Sequence, residues 1–287
     1  MQGIVVVNKE KGWTSFDVVK KIKKIWGIKK VGHLGTLDPM AEGVLPVAIG
    51  KATKLFDYYL KKSKTYIAQF EFGYETDTLD AEGQVIKTTS NLPSKKDIEE
   101  VLSSFVGKLQ QTPPKYSAVK INGQRAYALA RDNKEFQIQP KQIEIYKLEV
   151  LGQTDTNTYE FLIECSAGTY IRSLCQDIAK RLNSLATMTK LTRTRSGNFT
   201  QKDAKTIEEL EQNKTLISTS DALNHLPKIE LDEKYFQKLS NGVEVKIINQ
   251  PQNVLSTIFV GDRLFGIGEV EKGILKISTR LNEGENI

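Results

Sequence analysis

The run over residues 64–74 is the segment that most limits what this chain can become. Tyr66, Ala68, Phe70 and Phe72 fall on one side of an extended backbone, and Ile67, Gln69 and Glu71 on the other. A period of two marks a strand with one face turned to a core. Other strands read from β-branched or alternating runs at 143–150 and 159–165, and from Ile4-Val5-Val6-Val7. Between them lie helices. After a turn at Lys11-Gly12, Thr14 or Ser15 can cap a helix that carries Val18, Val19, Ile22, Ile25 and Trp26 at helical spacing and stops at Gly27. Ser94-Lys95-Lys96-Asp97 opens a second with a capping-box pattern, and Ile98, Val101, Leu102 and Phe105 form its apolar face before Gly107. A third begins at Ile171, with Leu174, Cys175, Ile178 and Leu182 facing inward. The stretch 31–50 holds Gly32, Gly35, Pro39, Gly43, Pro46 and Gly50, and this density of breakers predicts a shaped loop.

Strands and helices without strict alternation predict an α+β fold, with a mixed, largely antiparallel central sheet flanked by helices. Beyond about residue 226 the texture changes. A short helix around Tyr235-Phe236-Gln237-Lys238-Leu239 precedes three short strands at 254–260, 263–270 and 274–278, with hairpin turns at Gly261-Asp262 and Lys272-Gly273. The expected organisation is a domain over 1–226 and a small β-rich domain over 227–287, with a polar, frayed tail at 282–287.

Composition narrows the class. Of 287 residues, 41 are Lys or Arg and 35 Asp or Glu, a net charge of +6 that favours a polyanionic partner without requiring one. Cys165 and Cys175 are the two cysteines and His33 and His225 the two histidines, so a disulfide framework is excluded and no metal site is expected. No apolar run reaches the roughly 18 residues of a membrane span, and the N-terminus lacks the basic segment of a secretory signal. The expectation is a soluble, cytoplasmic protein. Neither a phosphate-binding GxxxxGK[ST] nor a dinucleotide GxGxxG is found.

Four features could carry chemistry, and each has a plain structural reading beside the functional one. In Gly32-His33-Leu34-Gly35-Thr36-Leu37-Asp38-Pro39, the glycines permit tight turns and Pro39 extends Asp38. The carboxylate is either a nucleophile for a sugar carbon or the acceptor of a local turn. His33 is either a plane beside a base or a packed histidine. Tyr66 is either a stacking platform or core. Arg172 opens the third helix off its apolar face, where the helix dipole disfavours a cation, so it is either surface-exposed or held by a carboxylate in a fork. Basic residues gather at Lys20, Lys21, Lys23, Lys24, Lys29 and Lys30, at Lys190, Arg193 and Arg195, and at Lys115, Lys120, Arg125 and Arg131, where Tyr116 and Tyr127 are interleaved. The last pattern suits looped RNA, while each cluster alone is more often a solvated face than a binding site.

Taken in order, these segments resemble the bacterial tRNA pseudouridine(55) synthases of the TruB family. The resemblance rests on Asn8-Lys9-Glu10-Lys11-Gly12-Trp13-Thr14-Ser15, the Asp38 segment, Lys64-Thr65-Tyr66 and Thr76-Asp77-Thr78-Leu79-Asp80. It continues with Pro113-Pro114-Lys115-Tyr116-Ser117-Ala118-Val119-Lys120, Gly168-Thr169-Tyr170-Ile171-Arg172 and Leu191-Thr192-Arg193-Thr194-Arg195-Ser196-Gly197. The family commonly has Asp-Lys-Pro where this chain has Asn8-Lys9-Glu10, and often Thr where Leu34 stands.

The resemblance implies Asp38 as the catalytic aspartate and Arg172 as its partner. It implies Tyr66 stacked on the target base and assisting proton removal, Tyr170 and Leu191 lining the uracil pocket, and His33 beside the flipped-out nucleotides of the T-loop. Lys9, Lys54, Lys64, Lys115, Lys120, Arg125 and Arg193 are the expected RNA contacts. The implied activity is cofactor-free isomerisation of uridine 55 of tRNA by a stand-alone monomer with no obligate protein partner, with a PUA-like C-terminal domain. The guide-RNA-dependent branch of the family shares the Asp loop but usually carries longer ends. A non-catalytic RNA binder would not need Asp38, Tyr66 and Arg172 together, and a nucleoside glycosidase would need a second acid beside Asp38.

Overall fold

Lys64–Phe72 is the strand around which the larger sheet is built, with every second residue buried as its alternation predicts. In the computed structural model, which describes residues 1–132, 134–248 and 250–281, it lies between Ala186–Ser196 and Thr158–Cys165, antiparallel to both. The frayed tail expected at 282–287 lies outside the described residues. From one edge the order is Gly3–Lys9, Glu42–Ile49, Ala186–Ser196, Lys64–Phe72, Thr158–Cys165, Lys141–Asp155 and Gly107–Gln111, with Val31–His33 joined to Glu42–Ile49 and Phe199–Thr200 to Ala186–Ser196. One junction, Ala186–Ser196 on Glu42–Ile49, is parallel. The sheet is therefore mixed and largely antiparallel, flanked by helices.

The helices begin and end where local chemistry dictates. Ser15–Trp26 starts at Thr14, whose hydroxyl accepts from the Asp17 amide while Asp17 reaches back to the Thr14 amide, and it ends at Gly27 in the left-handed region (φ 66°). Lys95–Leu102 repeats the device with Ser94 and Asp97. Ile171–Arg181 packs Ile171, Leu174, Cys175 and Ile178 into the main core. Among the described residues, no helix is long and apolar enough to cross a membrane.

The stretch 31–50 corrects the sequence expectation. Only 34–41 is a loop between strands, because Val31–His33 and Glu42–Ile49 are both strands, and the second is buried from Gly43 onward. Its breakers have places. Gly43 has φ 103° and lies so close to Ala186–Ser196 that a Cβ would fall on the Arg193 carbonyl oxygen. Pro46 sits where this edge has no strand partner, after the contacts of Glu42 and Gly43 with Thr192 and Arg193 and before the pairing of Val47 with His33. The Leu34 amide donates to the Pro46 carbonyl there, at 2.8 Å.

The C-terminal sheet runs Lys228–Leu231, Ser256–Val260, Arg263–Glu271, Ile274–Arg280 and Val245–Lys246. Its three long strands and both hairpin turns follow the sequence reading. Leu264, Ile267 and Leu281 pack in one cluster with Ile4, Val6, Leu34 and Leu55 of the larger unit. Ile229, Ile258, Phe265 and Val270 form a separate core within the small sheet.

Gly43→Ala is expected to lower stability by about 3 kcal/mol, since the side chain meets both an unfavourable φ and a neighbouring carbonyl. Urea unfolding of the two proteins measures this, and an unchanged midpoint would show that the two strands separate freely at this point.

Candidate active site

Four segments converge on a cavity of about 650 Å³. Its floor is the face of the larger sheet. Tyr66 pairs across the strands with Arg193, and Ala68 with Leu191, so Tyr66, Leu191 and Arg193 share one side. The loop 34–41 forms one wall and carries Asp38. Thr78, Asp80 and Glu82 form another, and Tyr116, Ser117, Tyr127 and Arg131 overhang the mouth. Tyr170 and Arg172 close the remaining side from the start of Ile171–Arg181.

Arg172 joins three of these segments. Its side chain is buried, with Nη2 at 2.9 Å from Asp38 Oδ2 and Nη1 at 3.3 Å from Asp80 Oδ2. The same nitrogens donate to the Thr78 and Tyr116 carbonyls at 3.1 and 3.2 Å. The two carboxylates are not equivalent. The Asp38 side chain is 36% exposed and the Asp80 side chain 7%. Asp80 is also consumed locally, its Oδ1 accepting from the Thr78 hydroxyl and the Glu82 amide. The sequence reading did not nominate Asp80. It ends Thr76-Asp77-Thr78-Leu79-Asp80, one of the segments that carry the resemblance, but as a short polar run behind a strand it reads equally as a turn.

The Asp38 loop is braced from behind. Ser15 Oγ donates to the Leu37 carbonyl and accepts from the Leu37 amide, at 3.0 and 2.9 Å. Lys9 Nζ donates to the carbonyls of Glu10, Trp13 and Pro39. Arg193 donates through Nε to Val44, through Nη1 to Thr36 and through Nη2 to Gly35. Lys9 and Arg193 are each 1% exposed, which departs from their expected role as RNA contacts because burial and carbonyl partners take their charged ends away from the surface. Burial also pulls the Lys9 ammonium down to about 8, against the opposing pull of Asp38.

The other expected residues divide. Tyr66 is buried on the floor, and burial pushes its hydroxyl up to about 12 although Arg193 beside it pulls the other way. Leu191 lies on the same floor. Tyr170 is half-buried, its amide and carbonyl clamped by the Gln111 side chain at 2.8 and 3.1 Å. Lys64 lies at the cavity edge, its Nζ on the Leu60 and Lys62 carbonyls, and burial brings it down to about 8. Lys115, Lys120 and Arg125 are exposed on the overhanging segment, where a hairpin of Lys120–Ile121 and Gln124–Arg125 leads into the helix Ala126–Arg131. His33 sits on its strand outside the cavity lining, with its Nδ1 buried and unpartnered. Lys54 lies away from the cavity, its Nζ donating to the Arg280 carbonyl of the C-terminal sheet.

Residues 23–171 match the model of the TruB family pseudouridylate synthase N-terminal domain, and residues 172–232 that of the tRNA pseudouridylate synthase B C-terminal domain. The chain belongs to the TruB family. It is 42% identical over 285 residues to the tRNA pseudouridine synthase B of Clostridium acetobutylicum, covering 96% of this chain and 98% of that protein. The Clostridium novyi protein of the same name is 43% identical over 289 residues, covering 98% and 100%. Among solved structures, the fold is similar to a chain in a Cbf5–Nop10–Gar1 complex, with TM-score 0.75, 26% identity and coverage of 97% and 84%. A chain in an H/ACA RNP bound to a substrate RNA containing 2′-deoxyuridine shares the fold at TM-score 0.74 and 24% identity. This TruB family member is thus a pseudouridine-forming enzyme, and the cavity around Asp38 is its candidate active site.

Because the Lys9 ammonium titrates near 8 in the folded protein and near its ordinary 10.5 when unfolded, the folded state gives up this proton first. Between those values the unfolded chain binds more protons, so this group makes stability rise with pH. The stability difference between the protein and Lys9→Met is expected to shift in favour of Lys9 from pH 8 to 10.5. Urea titrations across that range measure it, and a flat difference would place the lysine in contact with water.

Proposed function

We propose that this enzyme converts one uridine of tRNA, position 55 in the T-loop, to pseudouridine, with Asp38 as the group that opens the exchange. The observation that carries this reading is the inequality of the two carboxylates on Arg172. Asp80 is closed off and hydrogen-bonded, while Asp38 faces the cavity at a position set by the same guanidinium. Of the two, Asp38 is the carboxylate open to a bound nucleotide.

The chemistry asks for little else. The N1–C1′ bond breaks, the base turns, a C5–C1′ bond forms, the C5 proton leaves and N1 takes up a proton. Nothing is oxidised or reduced, so the reaction balances without a cofactor. The base must leave its stack to enter the cavity. Tyr66 and Leu191 then offer an aromatic face and an aliphatic one for the uracil ring. With its hydroxyl pushed up to about 12, Tyr66 is a neutral phenol at working pH. It suits stacking, and it accepts a proton only by passing on its own. The exposed Lys115, Lys120 and Arg125 suit the phosphates of a folded RNA loop. The relatives named tRNA pseudouridine synthase B support tRNA as the substrate.

Asp38→Asn is expected to abolish turnover while tRNA affinity stays within about tenfold, because phosphate contacts persist. The assay is tritium release from tRNA labelled at uridine C5, followed by mapping of the product. Release from several uridines would overturn the single-site reading, and turnover by Asp38→Asn would remove the aspartate from its role. Salt-sensitive binding without release by the unaltered protein would favour an enzyme that needs a guide RNA.

A further inference from the structure

Arg193 is the largest fully buried side chain in the described structure, and it has the wrong partners for a buried cation. Arg172, nearby, is neutralised by two carboxylates. The Arg193 guanidinium instead lies on three carbonyls, those of Val44 at 2.8 Å, Thr36 at 3.1 Å and Gly35 at 3.2 Å. A neutral amide could satisfy carbonyls, whereas a cation without a carboxylate is costly to bury. The charge therefore calls for a reason of its own.

Its position supplies one. Arg193 faces the cavity beside Tyr66, on the floor where the base is read to lie. Its field adds to the burial that lowers Lys9, His33 and Lys64, and at Tyr66 it opposes the burial that pushes the hydroxyl up. When the N1–C1′ bond breaks heterolytically, its electron pair stays on the ring, and the detached uracil is an anion until C5 bonds to C1′. A cation fixed beneath that ring before the reaction begins stabilises the detached state more than the bound substrate.

We propose that Arg193 is a positioning residue of the isomerisation that sets the backbone around Asp38 through three carbonyls and supplies, from the cavity floor, the positive charge that steadies the detached uracil anion. The inference rests on the reading of the cavity as the uridine site. It assigns the charge, and not only the hydrogen bonds, to catalysis.

The experiment compares Arg193→Lys, which keeps the charge and loses the fork, with Arg193→Gln, which keeps a donor and loses the charge, and Arg193→Met, which keeps neither. Each is assayed by single-turnover tritium release with saturating enzyme, at a temperature where circular dichroism shows it folded, alongside its tRNA dissociation constant. The expected result is tRNA binding within about threefold for all three, with rates about 100-fold lower in Gln and Met and about tenfold lower in Lys. A folded Gln variant with the unaltered rate would overturn the proposal, and so would equal losses in all three, which would leave only loop distortion. Asp38→Asn run in parallel separates the two readings. If it turns over, the site assignment has failed; if it is inactive while the Gln variant is as fast as the unaltered enzyme, only the Arg193 assignment has failed. Should the variants not fold, the unaltered protein is titrated with 5-nitrouracil across the pH at which that base ionises. Binding at least tenfold tighter to the anion is expected, and equal affinity for both forms would overturn the proposal.

Discussion

The ion pairs of Arg172 hold the candidate active site together, because they are where chain segments far apart in sequence become one object. Asp38 lies on a loop between two strands, Asp80 on the turn between the short strands Tyr74–Thr76 and Val85–Thr88, and Tyr116 on the overhanging segment, and one guanidinium bonds to all three. A buried arginine with a single acceptor would be a liability, since desolvation exceeds what one pair returns. Two carboxylates and two carbonyls occupy its two terminal nitrogens and make the geometry hard to change piecemeal. The helix that carries it begins at Ile171, with the Tyr170 backbone clamped by Gln111, so the side chain leaves the helix from a fixed point.

Asymmetry between the two carboxylates follows from packing and not from residue type. Asp80 is enclosed by its own turn, with the Thr78 hydroxyl and the Glu82 amide on one oxygen and Arg172 on the other. Asp38 spends one oxygen on Arg172 and leaves the carboxyl group half open to the cavity. A pair of aspartates on one arginine thus separates into an enclosed member and one open to the cavity, as environment sets similar groups apart elsewhere. Behind Asp38, three buried side chains take up loop polar groups that would otherwise lack partners: Ser15 on Leu37, Lys9 on Pro39, and Arg193 on Gly35 and Thr36.

What the sequence disclosed and what it hid follow the range of the forces involved. The 64–72 strand, the capped helices and the C-terminal hairpins were legible because periodicity, caps and turn residues act within a few positions. Glu42–Ile49 was not, because Gly43 and Pro46 read as breakers. Each is tolerated only through its tertiary neighbours, the Arg193 carbonyl against Gly43 and the gap in strand pairing at Pro46. Ala186–Ser196 was missed as a strand for a related reason. Its run of Thr, Lys and Arg looks solvated, and only the fold reveals that Arg193 points into carbonyls. Burial of Lys9 was hidden in the same way. The Asp38–Arg172 fork was among the alternatives the residues allowed, but Asp80 as the third member was not, since nothing local marks a turn carboxylate as the partner of an arginine 92 positions later.

The C-terminal sheet poses the same question at the scale of domains. Composition separates it from the rest, and its inner core is its own. Its outer face is not independent, because Leu264, Ile267 and Leu281 share a cluster with Ile4, Val6 and Leu34. Leu34 stands at the head of the loop that carries Asp38, and its amide is tied to Pro46. Apolar contacts of this kind are non-directional and add up with area, so the small sheet supports the back of the Asp38 loop simply by covering it. The Lys54 ammonium on the Arg280 carbonyl reinforces the same seam with a polar contact. A sheet that reads in sequence as an appended module is, in packing terms, part of the wall that keeps Asp38 in place.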